Sequence, residues 1–255
     1  RTSHRACLPL NVPDDGAAAS HAPEPGRNLA SLRPFLHPAS SRFATPDTLE
    51  SARQACAGRR FDAVLLMRLY LVPFLPAFVG PDAGRPRTLL DLDDDEVRTR
   101  QRLAALHEQL GQREQALAEA AEADKYRIVE AGWLARFDQV FVCSDDDRAI
   151  VAARTGHSAV HVVPNGIQVP DPAPGPAHGD DVRLLFVGSL GYAPNVDAAT
   201  VLCRHVLPKL RARINRDVRV DLVGGRPAPA LLELAALPGV TIHADVPHVA
   251  PFYSR

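Results

Sequence analysis

Residues 182–225 read VRLLFVGSLGYAPNVDAATVLCRHVLPKLRARINRDVRVDLVGG. Two short β-rich runs, VRLLFVG (182–188) and VRVDLVG (218–224), flank a segment with apolar residues at helical spacing, and each run ends on glycine. That pattern predicts a strand, a covering helix and a second strand parallel to the first. The helix is expected to begin at Asn195 and to run to Ile214. Beyond it, PAPALLELAAL (227–237) predicts another helix and GVTIHA (239–244) another strand. Residues 182–244 therefore form a predicted βαβαβ unit with ordinary loop lengths and right-handed crossovers.

Upstream, PNGIQVPDPAPGPAHGDD (164–181) holds five prolines and three glycines, a composition foreign to strand or helix interiors. It reads as a linker. Before it the β/α alternation appears a first time, from residue 61. FDAVLLM (61–67), RTLLDL (87–92), DQVFVCS (138–144) and AVHVVP (159–164) read as strands. A short apolar helix with Pro73 and Pro76 joins the first two, a long helical stretch to Phe137 breaks near Gly111, and DDDRAIVAART forms a helix behind an acidic cap. Residues 1–60 read as irregular. The expected organisation is α/β: an incomplete N-terminal β/α domain over 1–165, a hinge linker over 166–181, and the first part of a second β/α domain over 182–255. Polar strand ends of the two Rossmann-like domains are expected to face one another across a cleft, where such folds bind ligands. The missing initiator Met, and the stop at Arg255 soon after the apolar VAPFY, suggest a fragment lacking both ends.

The 255 residues are 46% hydrophobic and 5% aromatic, an ordinary globular composition, with a formal net charge of −1. Scattered arginines without interleaved aromatics argue against nucleic acid as a partner. Cys7, Cys56, Cys143 and Cys203 show no C-x-x-C spacing, and the apolar settings of Cys143 and Cys203 read as buried thiols in a reducing, cytoplasmic compartment. Neither a disulfide framework nor a metal site is expected, and no cofactor. VLLMRLYLVPFLPAFVG (64–80) is too short and too broken by Arg68, Pro73 and Pro76 to span a membrane, and no secretory signal is visible.

Small, polar and acidic residues collect at the predicted carboxyl ends of strands. RTLLDLDDDEVRT (87–99) runs from an apolar strand into Asp91, Asp93, Asp94, Asp95 and Glu96. So many like charges must be solvated, paired or used. Asp95 and Glu96 fit a helix cap, which leaves Asp91, Asp93 and Asp94 as candidates for chemistry. In FVGSLGYAPNVDA (186–198) the strand ends at Gly188, and backbone N–H groups before a helix suit a phosphate, although a glycine there is also needed simply to turn.

Six segments in order carry a resemblance: LLDLDD, FDQVFVCSDDDR, VHVVPNGIQVP, RLLFVGSLGYAPNVDA, VRVDLVGGRP and PGVTIHADVPHVAPFY. Over residues 61–255 they resemble the GT-B glycosyltransferases often called family four, which use nucleotide-sugar donors. The resemblance implies two Rossmann-like domains and transfer of a sugar from a nucleoside diphosphate to a glycan or lipid-linked acceptor, usually with retention and without an obligatory metal. It also implies polysaccharide biosynthesis at the inner face of a membrane; Arg98, Arg100 and Arg102 could contact an anionic surface there, although they read more readily as a solvated helix face. Asn165 and Gly166 match the family's hinge. Gly188 and Ser189, with Asn195 and Gly224, match its donor-phosphate region, and Val246 and Pro247, with His248 beside them, match its nucleobase loop. Ser144 and Asp147 match an S-x-x-D-R pattern on the acceptor side, although Ser144 reads equally well as a helix cap. Asp93 falls where many members carry a histidine near the reacting carbon; repulsion from Asp91 and Asp94 would favour proton uptake there. The family's arginine and lysine near the donor phosphates have no counterpart in SLGYAPN (189–195). Its Gly-rich first turn and its E-x-x-x-x-x-x-x-E segment are also missing.

Other classes fit less well. LLDLDDD resembles the D-x-D of haloacid-dehalogenase-like phosphatases, but their later acidic pair is lacking and the hinge has no place in that fold. A single-sheet D-x-D sugar transferase leaves the second βαβαβ unit without a role. A non-catalytic GT-B-like binding or scaffolding subunit is the remaining alternative, favoured by the missing phosphate cations.

Overall fold

A computed structural model of the protein describes residues 38–39, 44–79, 85–167 and 182–253. The chain divides into two compact units between Asn165 and Gly166. Both are α/β with parallel strands. No helix among the described residues is long and apolar enough to cross a membrane.

The first unit holds α1 (Pro46–Cys56), β1 (Ala63–Met67), β2 (Arg87–Asp91), α2 (Glu96–Gln109), α3 (Arg113–Trp133), β3 (Gln139–Val142), α4 (Asp145–Thr155) and β4 (Val160–Val162). Helix α1 corrects the reading of residues 1–60 as wholly irregular. Thr45 caps it, its hydroxyl accepting the Thr48 N–H, and Pro46 begins it where a missing N–H costs nothing. The apolar link after β1 is a 3₁₀ helix, Leu69–Ala77, because Pro73 and Pro76 cannot donate to α-helical bonds. The long helical stretch breaks as expected at Gly111, whose φ of 72° a side chain would resist.

The four strands lie in the order β1-β2-β3-β4, all parallel, with Leu66, Leu90, Val140 and Val160 in register across the sheet. Same-handed crossovers that step in one direction place their helices on one face. That face is the core: Val64, Leu66, Leu90, Val140 and Val142 pack against Leu69 and Val72 of the 3₁₀ helix, Val97, Tyr126, Val129 and Val151. The opposite face presents Leu65 and Met67, each more than half exposed.

The second unit comprises β5 (Val182–Val187), α5 (Ala193–Val201), α6 (Leu207–Arg211), β6 (Val218–Gly224), α7 (Pro229–Leu232), β7 (Val240–Ala244) and α8 (Ala250–Tyr253). Its three strands are parallel in the order β5-β6-β7. The core again takes one face, with Val218, Val220 and Leu222 against Ala199, Cys203, Leu207, Leu231 and Leu234. The crossover helix starts at Ala193 rather than Asn195, Pro194 occupying its first turn. It is also not continuous. Pro208 has no N–H for the Arg204 carbonyl, and the helix widens into a π turn over Leu202–Val206, with Leu207 N–H donating to Leu202 O. The helix expected over 227–237 is likewise shorter, four α-helical residues followed by a 3₁₀ turn over Glu233–Ala236.

Asn165 and Gly166 are exposed and lie on either side of the unit boundary. A Cβ on Gly166 would meet nothing within 4 Å, so its backbone does not demand glycine. Residues 168–181 of the expected linker, and Cys7, lie outside the described residues.

Candidate functional site

The carboxyl edge of the first sheet gathers the acid cluster. Asp93 follows β2 in the left-handed region at φ 56°, in a turn where Asp94 N–H donates to Leu92 O at 2.6 Å. The Asp91 carboxylate accepts the Asp93 N–H at 2.9 Å. At the end of β1, Arg68 is also left-handed, φ 77°, and donates its N–H to Asp91 O at 2.6 Å. Each such residue costs roughly 1–2 kcal/mol, and strain of this kind gathers at sites held by their surroundings. The two meet through an ion pair, Arg68 Nη2 to Asp93 Oδ2 at 2.5 Å, with Glu96 3.5 Å from the same guanidinium. This corrects the picture of Asp93 as a base set only among carboxylates. The charge facing it is a cation.

Asp95 and Glu96 are neutralised in the same way. Asp95 caps α2, its Oδ1 accepting the Arg98 N–H at 3.2 Å, but it is more than a cap. Its carboxylate is 2% exposed and bonded twice by Arg154, at 3.0 and 2.8 Å. Arg154 grips Glu130, also 2% exposed, at 2.7 Å through two nitrogens. Burial pushes the Glu130 carboxyl above its ordinary range despite the Arg154 bonds that oppose it. Burial acts the same way on Glu96, against the pull of Arg100 and Arg68. Asp91 and Asp94 carry no ion pair with the described residues; Asp94 is exposed and accepts from the Thr99 hydroxyl at 3.1 Å.

Ser144 and Asp147 turn to local work. The Ser144 hydroxyl accepts the Asp147 N–H at 3.1 Å, capping α4, and donates to Asp147 Oδ2 at 2.5 Å, while Arg98 holds Oδ1 at 3.0 Å. Burial alone would raise Asp147; bonds from Ser144, Arg98 and Cys143 hold it below the usual carboxylate range. Cys143 is only half-buried, with its thiol 3.7 Å from Asp147, so its expected apolar burial is corrected; Cys56 and Cys203 are buried. Arg98 and Arg100 are both ion-paired within the unit, to Asp147 and to Glu119, and Arg102 is exposed.

The carboxyl edge of the second sheet is built on glycines. A Cβ on Gly224 would fall 1.7 Å from Gly188 O, and one on Gly191 would fall 2.6 Å from Arg226 O. Backbones that approach this closely admit no side chain. The loops after β5, β6 and β7 are tied together by Leu190 N–H to Gly225 O at 3.0 Å, Ala228 N–H to Leu190 O at 3.0 Å and Asp245 N–H to Gly224 O at 2.9 Å. The Asp245 side chain adds a fourth tie, accepting the Arg226 N–H at 2.8 Å. The Asn195 side-chain amide donates one hydrogen to Ser189 O at 3.0 Å, which fastens the loop to α5. Val246 and Pro247 follow directly in the β7 loop, Val246 half-buried and Pro247 and His248 exposed.

Ser189, Gly191, Tyr192 and Arg226 line an open depression of 470 Å³ at this edge. The N–H groups of Ser189 and Gly191 make no hydrogen bond to the described residues. Another depression, of 430 Å³, lies at the opposite edge of the first sheet. There Asp138 is engaged by the Thr88 N–H at 2.8 Å, a bond that lowers its pKa and fastens the start of β2. Among the described residues no group of three His, Cys, Asp or Glu side chains is placed to hold a metal.

No family model matches the chain, and no curated protein does. The site therefore rests on its geometry. The ion pairs of Arg68, Arg98, Arg154 and Glu130 in the first unit, and the place of Arg226 on the depression of the second, escape the sequence pattern. Arg226 carries a signal, since it follows the glycine pair that ends a strand. Arg154 carries none, lying 59 positions from the carboxylate it binds.

Proposed function

We propose that the protein is a glycosyltransferase that moves a sugar from a nucleoside-diphosphate sugar to a glycan or lipid-linked acceptor. The second unit takes the donor and the first contributes the acidic groups. The observation that carries this reading is the bare glycine floor: Gly188 and Gly224 in backbone contact, beside a depression lined by Ser189 and Gly191, whose N–H groups make no hydrogen bond to the described residues. Such N–H groups at the carboxyl ends of parallel strands suit phosphate oxygens. In the reaction the bond from the anomeric carbon to the diphosphate breaks and a bond to the acceptor oxygen forms. The hydroxyl proton passes to a carboxylate of the Asp91–Asp94 edge, and the nucleoside diphosphate leaves. Asp94 is an exposed carboxylate with no ion pair among the described residues, and Asp93 serves as base when Arg68 releases it or as a fixed negative charge when it does not.

Calorimetric titration with a panel of nucleoside diphosphates tests the reading, with a dissociation constant on the order of micromolar, about −8 kcal/mol, expected for at least one. Gly188→Ala and Gly188→Asp share a Cβ that would press on the Asn195 amide at 2.8 Å, but only the second adds negative charge. Weaker binding by Gly188→Asp than by Gly188→Ala supports a phosphate at this edge; equal binding by the two argues against it. One observation favours a second reading, a binding subunit without turnover: Arg68 already occupies the Asp93 carboxylate. Nucleotide binding without hydrolysis or transfer of any donor sugar would select it.

A further inference from the structure

A diphosphate is densely anionic, and the loop after β5 offers it no cation. The fold supplies one from the next strand. Arg226, one residue beyond the glycine pair that ends β6, sits in the left-handed region at φ 54°. It is held there on both sides, by its N–H bond to Asp245 and by the backbone of Gly191 packed against its carbonyl. This places it on the wall of the depression that Ser189, Gly191 and Tyr192 complete. Its guanidinium is exposed and makes no ion pair or hydrogen bond with the described residues. Arg68, Arg98, Arg100 and Arg154 are all ion-paired to carboxylates. A guanidinium so anchored at its backbone and unengaged at its head is set to take oxygens of a phosphate in a forked geometry.

Resting on the reading of the second unit as the donor-binding one, we infer that Arg226 is the cation that binds the donor diphosphate, together with the Ser189 hydroxyl and the free N–H groups of Ser189 and Gly191. Asp245 belongs to the same constellation with the opposite sign. Its Oδ1 fixes the Arg226 backbone, and its charge opposes the ligand's. The two residues therefore predict opposite responses to neutralisation, which a merely structural role for the loop does not.

The test titrates the full chain with nucleoside diphosphates, the matching nucleosides and inorganic pyrophosphate. Arg226→Asn removes the charge with a residue that tolerates left-handed backbone. It is expected to weaken nucleoside diphosphate and pyrophosphate binding about 10- to 100-fold while leaving nucleoside binding unchanged. Arg226→Lys, a point charge without the fork, recovers part of the loss. Asp245→Asn keeps the acceptor for the Arg226 N–H and tightens diphosphate binding by about 3-fold or more at low salt. Circular dichroism confirms folding of each variant, and Arg102→Ala serves as a charge control on the first unit. Undiminished diphosphate binding by Arg226→Asn overturns the inference and leaves the donor-site reading standing, whereas failure of the unsubstituted chain to bind any nucleoside diphosphate overturns both. Weaker binding by Asp245→Asn counts against the inference, because removing a negative charge from a diphosphate site must not hurt.

Discussion

Replacing Arg154 by methionine removes the one cation between two buried carboxylates. The guanidinium makes four contacts of 2.7 to 3.0 Å, two to Asp95 and two to Glu130, whose side chains are 1% and 2% exposed. Methionine keeps much of the volume and none of the charge. Breaking a buried pair from one side costs about 3–5 kcal/mol, because the orphaned charge cannot return to water. Trp133, the protein's single tryptophan, ends α3 in the same unit, so its fluorescence reports on that unit alone. With an m-value of about 2 kcal/mol/M, the urea midpoint is expected to fall by about 1.5–2.5 M. The sign of the pH dependence follows from Glu130. Burial raises its folded pKa, and losing Arg154 removes the bonds that oppose that rise. A carboxyl raised in the folded state binds more protons folded than unfolded, so its contribution is present below the ordinary Glu pKa and is lost as pH climbs through the raised value. The variant is therefore penalised more at pH 7 than at pH 5. Where Arg154→Met proves too unstable to measure, Glu130→Gln added to it restores part of the loss. A cost below about 1 kcal/mol, or one equal at pH 5 and pH 7, would refute the reasoning.

Two further outcomes are expected. Gly224→Ala forces a Cβ to within 1.7 Å of the Gly188 carbonyl and should destabilise the second unit by at least about 3 kcal/mol, seen as lost hydrogen-exchange protection in β5 and β6, whereas Gly166→Ala, in open space, should change stability by under about 0.5 kcal/mol. Asp93→Asn breaks an ion pair that is about one-third exposed, so urea unfolding should shift by less than about 1 kcal/mol, while transfer activity falls about 100-fold or more if Asp93 takes part in proton transfer; unchanged turnover would remove it from the chemistry.

Strand positions were the most legible part of this chain, because β-rich runs bounded by glycine and acidic residues announce themselves locally. RTLLDL and VRVDLVG lie within a residue of the strands Arg87–Asp91 and Val218–Gly224. The break at Gly111 was legible for the same reason. Helix continuity was not, since apolar spacing over 195–214 is blind to one missing N–H at Pro208 and to the π turn it imposes. The candidate site divides along the same line. Which residues stand at strand ends could be read from short segments, but what they touch depends on separations of 19 to 59 positions, as with Asp245 and Arg226 or Arg154 and Asp95. Ser144 shows the consequence: its cap to Asp147 was legible three residues away, while the Arg98 bond that fixes Asp147 was not.

The acid cluster over residues 91–96 is mostly a neutralised one. Asp93, Asp95 and Glu96 are matched by Arg68, Arg154 and Arg100, so their charges are organised against the body of the first unit. Among the described residues the edge leaves Asp91 and Asp94 without an ion pair, and on the second unit Arg226 has neither ion pair nor hydrogen bond at its guanidinium, beside N–H groups of Ser189 and Gly191 that make no bond. Charge left without an internal partner at the carboxyl ends of parallel strands is open to a ligand, and the two signs suit two kinds of ligand group. A proton to be accepted fits the carboxylates, and a phosphate to be held fits the guanidinium. A sugar transferase using a nucleoside diphosphate needs both, whereas a binding subunit needs only the second, so a chain that loses nucleotide binding with Arg226 but loses nothing with Asp91 or Asp94 belongs to the latter.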